Sequence, residues 1–114
     1  MENICNTILL HAQEIKNDKQ KFIACSAEIN GKWYKIKFTK ECEGTPKKRG
    51  LYDCTINFDD CSIEKGRIYT RNNGETGIAN DTIWVTNIVG LRQYTDEELK
   101  AMNRLAMGNI FGMN

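Results

Sequence analysis

A single proline and a single histidine in 114 residues, with no apolar run near the ~18 residues of a membrane helix, exclude several classes at once. No membrane partner is expected. Five cysteines stand at positions 5, 25, 42, 54 and 61, none in a C-x-x-C pair, and His11 is the only imidazole, so a zinc site lacks its usual ligand spacing. Neither a metal nor another cofactor is expected. An odd, irregular cysteine set without an apolar leader reads as a cytoplasmic chain with reduced thiols. No glycine-rich phosphate loop follows a strand and opens a helix, and His11 has no nucleophile or carboxylate at a telling spacing. Asp53, Asp59, Asp60 and Glu64 could hold Mg²⁺, but Asp59-Asp60 reads first as a turn. The chain is therefore read as non-enzymatic. Charge of one sign is also missing: 16 basic and 15 acidic side chains leave a net of +1, which by itself points to no polyanionic partner.

What is present is β-pattern. Residues 21–39 are two runs of β-formers around Asn30-Gly31, the pair that accepts positive φ at both centres of a type I′ turn. A two-residue turn pairs Ile29 with Lys32, Glu28 with Trp33, Ala27 with Tyr34, Ser26 with Lys35 and Cys25 with Ile36. That register puts Ile23, Cys25, Ala27 and Ile29 with Phe38, Ile36 and Tyr34 on a core face. Phe22, Ala24, Ser26 and Glu28 with Lys37, Lys35 and Trp33 take the other. Residues 7–16 fit a first strand, although Ile4, Ile8, Ala12 and Ile15 also trace a helical stripe. Residues 41–50 read as a loop, 51–58 as a strand with Tyr52, Cys54, Ile56 and Phe58 inward, and 59–81 as a polar excursion with a turn at 72–74 and a short strand within 67–71. Residues 82–89 form the last strand, apolar on both faces, with Trp84 expected in the core. A capping box of Thr95 and Glu98, with Tyr94 and Leu99 as hydrophobic staple, starts a helix expected over 96–107. Leu99, Met102, Leu105 and Ala106 supply its buried stripe, Gly108 stops it, and 108–114 is a tail.

The near-zero net charge hides a local excess. Residues 32–49 carry seven basic and two acidic groups, a net of +5, against −1 before them and −3 after. Lys35, Lys37 and Trp33 on one strand, with Phe22 and the small Ala24 and Ser26 beside them, combine cations with aromatic platforms and room for a base. Single-stranded nucleic acid is bound by that combination, because phosphates meet the cations and every base has a π-face.

Five short strands and one helix make the chain a single mainly β domain, 1–114, with a small five-stranded barrel over about residues 7–90. The first strand, the 22–38 hairpin with its Gly-Lys-Trp-Tyr-Lys-Ile-Lys-Phe segment, and the closing Thr-Ile-Trp-Val of 82–85 resemble the single-stranded-DNA-binding proteins of bacteria and their phages, which have the OB fold. The resemblance is one of element pattern, without a diagnostic motif. Two departures stand out: little room for a helix between the third and fourth strands, and no acidic partner-binding tail, which suits a phage or mobile-element protein. The resemblance implies a ligand lying across the second and third strands, between the 17–20 loop and the 59–81 excursion. The expected contacts are Phe22, Trp33, Lys35 and Lys37 and the basic loop Lys47, Lys48 and Arg49, read from the residues, with the Arg67, Tyr69 and Arg71 tract added by the resemblance, on DNA or RNA without base specificity.

Other readings stay open. The alternating lysines also fit a solvated strand face, Lys47 to Arg49 a solvated loop, and Trp33 a residue covered by the C-terminal helix. The same basic, aromatic face would serve a module that binds a host protein, and Ile110 and Phe111 could pack on a second subunit of a homo-oligomer.

Overall fold

The computed structural model describes residues 5–111, and the side chains of 5–103. Nine strands and one helix follow in order: β1 (Cys5–Lys16), β2 (Lys21–Ile29), β3 (Lys32–Phe38), β4 (Gly50–Asn57), β5 (Cys61–Glu64), β6 (Ile68–Thr70), β7 (Thr76–Ile78), β8 (Thr82–Val85), β9 (Gly90–Gln93) and α1 (Asp96–Phe111). Seven strands form one sheet in the order β5-β8-β3-β2-β1-β4-β9, and β6 and β7 form a separate two-stranded arm. Every pairing in the main sheet is antiparallel except β3 with β8.

The β2–β3 hairpin has the register that Asn30-Gly31 dictates. Both residues have positive φ, 52° and 82°, and the ladder runs from Ile29↔Lys32 to Cys25↔Ile36. β1 resolves the strand-or-helix ambiguity in favour of a strand, because its Ile8, Leu10 and Ala12 alternate into the core between β2 and β4. Burial follows the period of two: Ile8, Leu10 and Ala12 meet Cys25, Ala27, Ile36, Tyr52, Cys54, Ile56, Ile83 and Val85 in one core. The Tyr52 hydroxyl donates to the Lys48 carbonyl at 2.7 Å, which ties the basic loop to β4.

The expected five-stranded barrel is corrected to an open sheet of more numerous strands. One reason lies at residues 58–60, where the chain leaves β4 in a 3₁₀ turn. The Asn57 side chain accepts the Asp59 N–H at 2.9 Å, and the chain then resumes as β5 against β8. A second lies at residues 86–89, where the expected fifth strand stops at Val85. Gly90–Gln93 instead pairs antiparallel with β4 as an edge strand too short and polar to show a pattern of its own. A third is that the 67–71 segment needs a partner, found in Thr76–Ile78 across a turn with Gly74 at φ 87°.

The arm is fastened at its base by Asp81. One carboxylate oxygen accepts the Gly66 N–H at 2.8 Å, and the other pairs with Lys32 at 2.9 Å and Lys65 at 3.6 Å. The Gly66 amide, then Lys32 and Lys65, hold this carboxyl down to about 2. A depressed carboxyl stabilises the fold fully above its ordinary value near 4 and loses that contribution as pH falls towards 2. In thermal melts from neutral to acid pH, Asp81→Asn should therefore fall furthest below the wild type at neutrality and converge with it near pH 2. A gap that stayed constant with pH would show that the charge on Asp81 does not stabilise the fold.

The capping box forms as the sequence indicates. Glu98 N–H donates to Thr95 Oγ1 at 3.1 Å and Thr95 N–H to Glu98 Oε1 at 3.0 Å. Arg92 bridges Glu98 and Asp53, and the Tyr94 hydroxyl donates to Asp53, so polar contacts hold the helix start to β4 and β9. The expected buried stripe is not found among the described residues, since Leu99 is half-buried and Met102 exposed. Leu105, Ala106, Ile110 and Phe111 lie outside the residues whose side chains are described. The helix also runs past Gly108 to Phe111, because a glycine inside a helix costs only ~1 kcal/mol and need not end it. Among the described residues no helix is long and apolar enough to cross a membrane.

Candidate nucleic-acid interface

Alternation sends Phe22, Ala24 and Ser26 of β2 and Trp33, Lys35 and Lys37 of β3 to the face opposite the core. Parallel pairing of β3 with β8 then puts Trp84 directly across from Lys37. Its indole is half-buried, not a core group, and the expectation of a core tryptophan is overturned. Ile83 and Val85 point inward and are buried, so the residue between them must point outward. The Lys37 ammonium sits 5.5 Å from the centre of the Trp84 ring, and the indole N–H donates to Glu64 Oε1 at 2.9 Å from β5. These two contacts fix the ring's orientation from both neighbouring strands.

This face opens into a groove of about 760 Å³ beneath the loop that follows β3. Phe22, Ala24 and Ser26 line it from β2, Lys35 and Lys37 from β3, Lys40 and Lys47 from the loop, and Trp84 from β8. Gln13 of β1 completes the rim. Among the described residues no aspartate or glutamate lines the groove, although the chain has 15. None of its four lysines lies within ion-pair distance of a carboxylate among the described residues. Four uncompensated ammonium groups in one concavity make a positive field that a polyanion would neutralise. Cys25 also borders the groove, but burial pushes its thiol up to about 11, so it is protonated and unreactive at neutral pH.

The structure gathers some of the sequence-proposed residues and separates others. Phe22, Lys35, Lys37 and Lys47 converge. Trp33 shares their face and is 41% exposed, so helix α1 does not cover it; it stands outside the groove against His11, with ring centres 5.2 Å apart. Lys48 is exposed and its carbonyl is engaged by Tyr52, while Arg49 turns to a different groove between β1 and α1. Arg67, Tyr69 and Arg71 belong to the β6–β7 arm and do not line the groove. Tyr69 lies flat over Gly77, where an added Cβ would come within 2.6 Å of the ring, and the Arg71 guanidinium sits 5.8 Å from its centre. The four carboxylates that could hold Mg²⁺ by sequence are dispersed, with Asp53 on Arg92 and Tyr94, Asp59 and Asp60 in the 3₁₀ turn, and Glu64 on Trp84.

Two groove residues escaped the sequence reading, Trp84 and Lys40. The signal for Trp84 was its alternation with Ile83 and Val85, obscured because an apolar strand reads as buried on both faces. No family model, no curated protein and no solved structure matches this chain, so the reading of the groove rests on its own residues.

Proposed function

We propose that the chain binds single-stranded DNA without base preference in the groove over β2, β3 and β8. The supporting observation is the lining itself: four lysines without an ion pair among the described residues, the Phe22 and Trp84 rings on the outer face, and no described carboxylate. Phe22 and Trp84 are the platforms on which bases stack, Ala24 and Ser26 leave space between them, and Lys35, Lys37, Lys40 and Lys47 meet phosphates. Trp33 extends the same face beyond the groove. Five free thiols suit a reducing, cytoplasmic setting.

The strand pathway supports an OB-type reading of the sheet. If β4 and β5 are taken as one strand bent at the 3₁₀ turn, then β1, β2, β3, β8 and the bent strand each neighbour the next in a circuit. Covalent continuity through residues 58–60 stands in for the missing ladder, in a partly open barrel whose second and third strands carry the ligand.

The test is tryptophan-fluorescence titration with oligo-dT and oligo-U across salt. Each phosphate contact on a single strand lowers log K by about 0.7 per tenfold salt, so four give a loss of several-hundred-fold between 50 and 500 mM. Salt-independent affinity, or no quenching, would remove the proposal. Tighter binding of oligo-U would reassign the ligand to RNA.

A further inference from the structure

Gln13 of β1 lines the groove over β2, β3 and β8 and also a second groove, of about 880 Å³, between β1, the start of β4 and α1. The second groove opens where β1 outruns its partner: pairing with β4 ends at Ala12↔Gly50, while β1 continues to Lys16. His11 and Leu51 reach it from neighbouring strands, and Arg49 from the loop before β4.

Strand pairing joins the two grooves across the outer face. Lys35 pairs with Ser26, Ser26 with His11 and His11 with Leu51, so one row of side chains crosses β3, β2, β1 and β4. Beside it, Trp84 pairs with Lys37 and Ala24 with Gln13. Ile36, Cys25, Ala12 and Tyr52, which alternate with the row, are buried in the core, so the row faces outward. The Trp33 ring, against His11 with centres 5.2 Å apart, borders it on the side of the Asn30-Gly31 turn.

The loop after β3 divides its cations between the grooves. Lys47 lines the first, Arg49 the second, and Lys48, between them, neither. Arg49 is exposed and has no ion pair among the described residues. Two carboxylates line the second groove: Glu14 is paired with Lys21 at 3.3 Å and Lys16 at 3.8 Å, and Asp96 stands on the α1 wall. Asp96 repels phosphate, which leaves the Arg49 side to receive it.

We infer that a longer single strand leaves the first groove over Gln13 and His11 and enters the second, where Arg49 takes one further phosphate. This rests on the first groove binding single-stranded DNA. Four strand spacings of about 4.8 Å separate β8 from β4, roughly 19 Å along the surface. A strand of about four nucleotides seated on Trp84 and its lysines ends before Arg49, and one of about twelve reaches it.

Fluorescence titration of the full-length chain with oligo-dT of these two lengths tests the second subsite. Arg49→Ala should leave the 4-mer unchanged and lower the log–log salt slope of the 12-mer by about 0.7, a loss of about 8-fold at 50 mM salt that vanishes towards 1 M. Arg49→Lys should keep the wild-type slope, since the contact needs the charge. Lys48→Ala removes a neighbouring exposed charge that lines neither groove, and both lengths should bind it as they bind the wild type. An unchanged 12-mer slope in Arg49→Ala overturns the inference. An equal loss in Lys48→Ala, or for the 4-mer in Arg49→Ala, also overturns it, because the loss would then come from a diffuse field. Salt-dependent binding of the 4-mer to the wild type would leave the reading of the first groove standing in each of those cases. No binding at either length would remove both.

Discussion

Trp84→Ala should weaken oligo-dT binding by about 5- to 150-fold, the equivalent of roughly 1 to 3 kcal/mol for one stacked base, while the domain stays folded. The expectation for the fold follows from the ring's place: it lies on the outer face between Lys37 and Glu64, and only Ile83 and Val85 of its strand enter the core. Trp84→Phe should restore most of the affinity, since it keeps a π-face and loses only the N–H to Glu64. Trp33→Ala should have the smaller effect, because Trp33 stands outside the groove against His11. The measurement is the same titration at low salt, with a thermal melt beside each variant. A larger loss in Trp33→Ala than in Trp84→Ala would move the stacking site out of the groove and onto the β1–β3 end of the face. Unfolding of Trp84→Ala would instead return the residue to the core.

Leu10→Ala is expected to destabilise the fold by about 2 to 5 kcal/mol, against a total stability of roughly 5 to 15. Leu10 is fully buried in the middle of β1, with β2 on one side and Tyr52 of β4 directly opposite. Removing its branched end leaves a cavity that two flanking strands, each fixed by its own ladder, cannot collapse to fill. The neighbouring Leu9→Ala should cost much less, because Leu9 points to the opposite face and is only half-buried. Urea denaturation of the pair reads the strand's alternation directly. Equal losses would mean that β1 is buried on both faces and does not alternate.

Both expectations depend on alternation, and alternation was also the part of the structure most legible from sequence. Asn30-Gly31 admitted a two-residue turn, and the side-chain period of two then left one register that kept Cys25, Ala27 and Ile36 together. Thr95 and Glu98 announced the helix start because a capping box is local chemistry, complete within four residues. Harder cases were those in which a neighbour distant in sequence decided the outcome. Gly90–Gln93 is a strand only because β4 offers an open edge, and Ile68–Thr70 only because Thr76–Ile78 returns beside it. The described part of the helix stripe, Leu99 and Met102, is not buried for the same reason, since an amphipathic pattern states which face could be buried and a partner must exist to bury it.

The candidate site divides along the same line. Sequence by itself determined that Lys35 and Lys37 share a face with Phe22 and Trp33, and that residues 32–49 hold the positive excess hidden in a near-neutral chain. Tertiary structure alone decided which of those cations lie in one groove. The parallel pairing of β3 with β8, separated by more than forty residues, brought Trp84 under Lys37, and the loop after β3 added Lys40 and Lys47 while Arg49 went elsewhere. Periodicity reports the side of a strand on which a residue stands. Which strand lies next to it is set by long-range pairing, where the gain from burying a common core outweighs the loop-closure entropy of bringing distant segments together.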